Sequence, residues 1–334
     1  MGQSKDKRIY LWDNLKFVLI FLVVLGHFVA VYYKKENMDY IRGIYSFIYF
    51  FHMPLFIFIT GLFSKKSINS YKFPYKKVIS YIILGYFLSF YDNFIRFLLN
   101  KDVNFNLLGS SGIIWFLFVI AIFFTITYFL KCVNIKYLFV FSILMGLFVG
   151  YDKNIGDYLY IMRSVVFYPF FLAGYYLDPT QIIDKVKNKK YHIISFICIL
   201  AFIFICVKFP NQMFQFRKLF LGKYPYYNGI NIYYRFIYYI SVFIFISMVI
   251  SITPNRYIKG FTQYGSRTLQ VYFLHRPMIT FVINLGFGTF LMNFCGKFWM
   301  IPYFICAIIL TYVLSIKFFE RPFNFILKDI YKDR

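Results

Sequence analysis

The chain has 334 residues and 4 histidines, few enough to follow one at a time. His27, His52 and His275 fall inside long apolar runs, and His192 stands at the start of another. An ionisable group within such a run is expensive unless something satisfies or uses it, so each marks a candidate site. His27 shares its run with Asp13 and Lys16. Lys16 and His27 are eleven positions apart, and eleven steps of about 100° return a helix to nearly the same face, some ~16 Å further along its axis. Asp13 precedes Lys16 by one turn, within pairing reach. An imidazole can act as a general base or as a transient covalent carrier, and the sequence leaves both roles open for His27, the leading catalytic candidate. The plainer reading is a Lys16 that snorkels to the headgroups and a His27 satisfied by packing.

Ten apolar segments must carry these groups: Leu11–Tyr33, Gly43–Phe63, Val78–Leu98, Ile113–Leu130, Tyr137–Gly150, Tyr158–Leu177, Tyr191–Val207, Ile230–Ile250, Thr262–Leu285 and Phe298–Phe319. A spanning helix needs about 20 residues, so the fifth segment is the shortest fit. The composition agrees, with 60% hydrophobic, 25% aromatic and 15% charged residues and a mean hydropathy of +0.63. A soluble globular enzyme and a disordered or fibrous chain are excluded. The expectation is an all-α, polytopic transmembrane bundle of about ten helices. It forms one domain over 1–334, with no appended soluble domain and both termini cytoplasmic. Alternating helix direction then brings His27, His52 and His275 to one level in the outer half of the bilayer, with His27 nearer to His52 than His275 is. His192 reads as interfacial.

The net charge of +24 would suggest nucleic acid in a soluble chain. Here the basic residues sit at segment ends, 21 on the side assigned to the cytoplasm against 11 outside, which is an orientation signal; nucleic acid is not an expected partner. Lys65, Lys66, Lys72, Lys76 and Lys77 crowd the first inner loop. They either orient the helices and touch anionic lipid, or bind a phosphorylated cytosolic ligand. The outer loop from Lys208 to Gly229 is long enough to cover a cavity mouth. Cys132, Cys198, Cys206, Cys295 and Cys306 show no metal-ligand spacing, and no metal is expected. The first residues lack the pattern of a removable signal peptide.

The stretches RIYLWDNLKFVLIFLVVLGHF, FFHMPLFIFITGLFSKK, GIIWFLFVI, SVVFYPFFLAGYYL, YGSRTLQVYFLHRPMI and FFERPF, in that order, resemble landmarks of the acyltransferase 3 family of integral membrane acyltransferases. The subgroup looks like the fucose 4-O-acetylase-like proteins. The resemblance runs over essentially the whole chain. It implies transfer of an acyl group, usually acetyl from cytosolic acetyl-CoA, to a sugar hydroxyl of an envelope polysaccharide or its lipid-linked precursor, in the cytoplasmic (inner) membrane of a bacterium. By position, His27 matches the family's first-helix histidine, Lys16 its basic partner and Asp13 the acid before it. Asp13, His27 and His52 are thereby the expected catalytic group. Substrate or cofactor contacts are expected from Lys16, Lys65, Lys66, Lys76, Lys77, Trp115, Arg163, His275, Arg276 and Glu320. A lysine at position 16 offers a point charge where an arginine would offer a fork. Many relatives add an extracytoplasmic esterase-like domain; without one, the acyl group is expected to pass directly to its acceptor.

Two other classes compete. A transporter or flippase for a glycan intermediate would line a path with polar groups and make no covalent bond; inverted repeats and matched helix breaks would mark it, and none is evident. A metal permease could use the three histidines, but carboxylates beside them are scarce.

Overall fold

The computed structural model describes residues 8–323 apart from 36, 104–108, 110, 111, 113 and 187. Among the described residues the secondary structure is helical, with a single isolated bridge between Gly109 and Tyr158. Ten principal helices follow in chain order: α1 Tyr10–Val29, α2 Asp39–Leu62, α3 Tyr75–Leu98, α4 Trp115–Phe129, α5 Ile135–Phe148, α6 Ile161–Tyr176, α7 Lys189–Lys208, α8 Ile232–Ile252, α9 Thr268–Asn284 and α10 Met300–Leu314. Each of the ten apolar segments overlaps one of them. Shorter helices at Pro210–Gln215 and Arg217–Leu221 occupy the long loop before α8.

Length separates these helices into two groups. By length and composition, α1, α2, α3, α7 and α8 can each cross a membrane. A sixth span arises if Gly265–Asn284 and Phe287–Phe298, bent by 57° at Gly286, count together. The remaining apolar helices have 14 to 16 residues, short of the roughly 20 that a 30 Å hydrocarbon layer asks for. Five to six spans are therefore what helix length supports. The exterior is what a bilayer would solvate: Phe196, Ile197 and Phe204 on α7 and Phe236, Ile237 and Ile240 on α8 are all exposed.

Packing is tightest where α2 meets α6. A Cβ added to Gly61 would collide with the Phe171 carbonyl, and one added to Gly174 with the Phe58 carbonyl. The two glycines let the backbones touch, as small residues do at membrane helix contacts. Pro54 lies inside α2 and cannot donate to the carbonyl four residues earlier. That acceptor, Phe50 O, instead receives the Tyr238 hydroxyl of α8 at 3.2 Å. Arg235, buried to 1%, donates to Gly146 O (3.1 Å) and Tyr224 O (3.3 Å), tying α8 to α5 and the long loop.

Candidate active site

The site is built on α1, α2 and α9. The turn after α1 leads directly into α2, so the end of α1 bearing His27 lies beside the start of α2. Parallel α1 and α9 then bring His275, ~15 Å of helix beyond Gly265 at ~1.5 Å per residue, to the same level. The rings of His27 and His275 pack 5.1 Å apart at 44°, and His52 lies within electrostatic range of His27. His27 thus makes its ring contact with the histidine most distant in sequence. His52 reaches the group through Tyr49, whose ring it meets edge-on at 5.0 Å. Tyr49 also lies against α1, where a Cβ on Gly26 would meet its ring at 3.4 Å.

Two of the rings are fixed by their own helices. His52 Nδ1 lies 2.6 Å from Ile48 O, and His275 Nδ1 lies 3.0 Å from Val271 O and 2.9 Å from Tyr272 O. A carbonyl oxygen only accepts, so in both rings Nδ1 carries the hydrogen. In the neutral tautomer Nε2 is then the basic nitrogen. His275 Nε2 is buried and has no hydrogen-bond partner among the described residues. No hydrogen bond to a described residue holds His27, which leaves its ring the freest of the three to turn towards a substrate.

Two arginines flank the histidines. Arg163 (side chain 7% exposed) sits 4.6 Å above the Trp115 ring and 3.3 Å from Asp157, which Lys223 also approaches at 3.7 Å. Arg276 follows His275 and lies 3.8 Å from Asp92, itself bound by Arg96 at 3.0 Å. Arg276 lies within electrostatic range of His27, and both arginines lie within range of Tyr49 and Tyr272. Three histidines, two arginines and two tyrosines therefore form one connected cluster inside an apolar bundle. Tyr49, Tyr272, Asp157 and Asp92 were not singled out from the sequence. Tyr49 and Tyr272 are two of 33 tyrosines, and the partnerships of Asp92 and Asp157 arise only through the fold.

The remaining candidates collect at the opposite end. Asp13, buried to 6%, bridges Lys16 (2.8 Å) and Arg8 (2.7 Å). It lies fourteen residues, or ~21 Å of helix, from His27 and does not join the histidines. The Lys16 ammonium stands 5.8 Å over the Phe63 ring. Lys77 is buried and donates to Ser67 Oγ at 2.9 Å, while Lys65 donates to Tyr176 O at 3.1 Å. Lys66, Lys72 and Lys76 are exposed. Lys65 and Lys131 line a cavity of 290 Å³ together with Asn69, Thr127 and Tyr175. Glu320 sits half-buried after α10, near the start of α9. His192 opens α7 with Nδ1 3.0 Å from Ser251 Oγ. All five cysteines are free, and among the described residues no group of three His, Cys, Asp or Glu side chains is arranged to hold a metal ion.

Beyond the histidines the long loop encloses a cavity of 470 Å³ lined by Gln215, Arg217, Lys218, Tyr227 and Tyr234 among others. An aromatic column joins it to the site. Arg217 lies 4.3 Å over Phe214, Phe214 packs on Tyr45 (5.7 Å), and Tyr45 stacks on Tyr49 at 4.0 Å.

A family model described as an acyltransferase domain, that of acyltransferase 3, matches residues 9–320. The chain belongs to the acyltransferase 3 family. No curated protein and no solved structure matches it. Membership together with the apolar helices indicates a multi-pass membrane protein with acyltransferase activity. The matched stretch includes both ends of the bundle, from the Arg8-adjacent start of α1 to Glu320.

Proposed function

We propose that this acyltransferase moves an acetyl group from acetyl-CoA to a sugar hydroxyl of an envelope carbohydrate, with His27 as the general base. The observation that carries the reading is the meeting of His27, His275 and His52 beside two arginines, on the same α1 stripe that bears Lys16 at its other end. The acceptor hydroxyl gives its proton to the His27 imidazole as its oxygen attacks the thioester carbonyl. The tetrahedral oxyanion is stabilised by Arg276, whose charge already acts on this site, and collapse expels the CoA thiolate, which takes up the proton. His275, held by Val271 and Tyr272, gives His27 a rigid neighbour; His52 does so through Tyr49.

The layout favours a two-ended arrangement. Lys66, Lys72 and Lys76, exposed at the Lys16 end, suit the phosphates of a cytosolic donor. The acceptor would enter by way of the 470 Å³ cavity, whose size lies in the usual range for ligand pockets. Its tyrosines offer faces on which sugar rings pack, and Arg217 and Lys218 would favour an acidic glycan. This orientation corresponds to ten crossings with both termini cytoplasmic, which requires the shorter α4, α5, α6 and α10 to cross as well. The host membrane is then the inner membrane of a bacterium, and the likeness to fucose 4-O-acetylases points to a hexose hydroxyl.

Mass spectrometry of envelope glycans from cells with and without the gene tests the proposal. O-acetyl groups should vanish with the gene and return on complementation; identical acetylation in both strains would refute it.

A further inference from the structure

Between the two ends of the bundle lies a small apolar slot of 40 Å³, lined by Ile20, Val23, Met53, Phe56, Phe116, Thr268, Leu269 and Tyr272. Its position is set by the same helices that carry the histidines. Ile20 and Val23 stand four and seven residues after Lys16, and seven and four before His27, so they continue the α1 stripe. Met53 and Phe56 follow His52 by one and four residues, and Tyr272 and Leu269 precede His275 by three and six. Phe116 of α4 closes the side, its ring 5.5 Å from Tyr272 and 6.2 Å from Phe56. Ile20 and Val23 are buried to 1% and 4%. The slot is therefore a constriction about one turn from the histidines, with the lysine of the α1 stripe below it.

We propose that this slot receives the thioester end of the acyl donor and that its walls restrict the transferred group to a short chain, with Phe116 and Leu269 as the limiting residues. The inference rests on the acyl-transfer reading above and adds which acyl groups are accepted. An acyl group and the two methylenes next to the sulfur are the apolar part of a CoA thioester, and an apolar wall suits them. A charged headgroup or a free sugar would lose hydrogen bonds there. The volume decides between donors. At 40 Å³ it is about three times the ~10–15 Å³ that a single water needs in such a cavity, room for the three heavy atoms of an acetyl group, but well below the ~150 Å³ cavity that holds a benzene ring. An acetyl group fits with little adjustment; a butyryl chain must displace Phe116 or Leu269. When transfer occurs the thioester C–S bond breaks, the ester C–O bond forms, and the hydroxyl proton passes through the base to the leaving thiolate.

The experiment uses the full chain in lipid nanodiscs, offered acetyl-, propionyl- and butyryl-CoA with one glycan acceptor. Phe116→Ala and Leu269→Ala should raise the butyryl-to-acetyl ratio of kcat/KM, because rejection of one methylene by a tight pocket is worth about tenfold or more. Leu269→Phe should lower propionyl transfer more than acetyl transfer. If Phe116→Ala lowers the yield of folded protein, Phe116→Leu and Leu269→Ala carry the same comparison. Retained acetyl transfer with an unchanged ratio in the widened variants overturns the slot assignment alone. Wild-type protein that transfers no acyl group from any of the three donors overturns the acyl-transfer reading and the slot with it.

Discussion

Neutralising lysines at the Lys16 end separates two roles that a basic loop can have. Lys66 and Lys76 are exposed, whereas Lys77 is buried and bonded to Ser67 Oγ at 2.9 Å. If the exposed pair meets the donor's phosphates, each ammonium contributes a Coulomb attraction of about 1 kcal/mol at 4 Å in a water-like dielectric. Removing one should raise the donor KM about fivefold, and Lys66→Gln with Lys76→Gln together about 25-fold, since about 1.4 kcal/mol is a factor of ten. The maximal rate should stay near wild type, because the interaction is equal in ground and transition states. Raising the salt should shrink the difference between variant and wild type, as exposed charges are screened. Lys77→Gln should behave differently, leaving the donor KM unchanged and lowering the yield of folded protein. Steady-state kinetics in nanodiscs, with orientation checked by cysteine labelling, give the answer. A correctly inserted Lys66/Lys76 double variant with wild-type donor KM would refute the phosphate role and leave these lysines to topology or lipid.

Other consequences follow from the packing and the outer cavity. Gly61→Ala and Gly174→Ala place a Cβ 2.9 Å from backbone carbons of the facing helix, against an ordinary contact of roughly 3.5–4.0 Å. Each should cost about 1–3 kcal/mol by overpacking. One separation of α2 from α6 relieves both clashes, so the double variant should melt well above the additive expectation in detergent; strict additivity would contradict the shared contact. Arg217→Gln with Lys218→Gln should raise the KM for an acidic acceptor several-fold without changing the donor KM, and an unchanged acceptor KM would remove the 470 Å³ cavity from the acceptor's route.

Much of this arrangement could be read from residue spacing. The Lys16–His27 stripe, the Asp13–Lys16 pair and the helix in each apolar segment all follow from local periodicity, which a single chain displays directly. The number of crossings did not follow as cleanly. Segment boundaries drawn on apolarity run past the points where α4, α5, α6 and α10 end, because Leu130, Leu177 and similar residues are apolar without continuing the α-helix. Grouping Asp13 with the histidines also failed on geometry, for the two ends of α1 are separated by nearly the whole helix. The ring contact between His27 and His275 crosses 248 positions of sequence, so helix order, which favours the sequential pair His27 and His52, could not foretell it. Burial of Lys77 beside an exposed Lys76 depends on which face of α3 meets Ser67 and Phe124, and adjacent lysines carry no sign of that difference.

In the proposed mechanism the His27 imidazole takes the acceptor proton during acyl transfer. Purified protein in nanodiscs, supplied with radiolabelled acetyl-CoA and deacetylated envelope glycan, measures this directly. His27→Gln keeps a polar side chain of similar size but no usable base, so label transfer should fall by about 10²–10⁴-fold while protein yield and donor KM stay near wild type. Wild-type transfer by His27→Gln at matched protein levels would contradict the account.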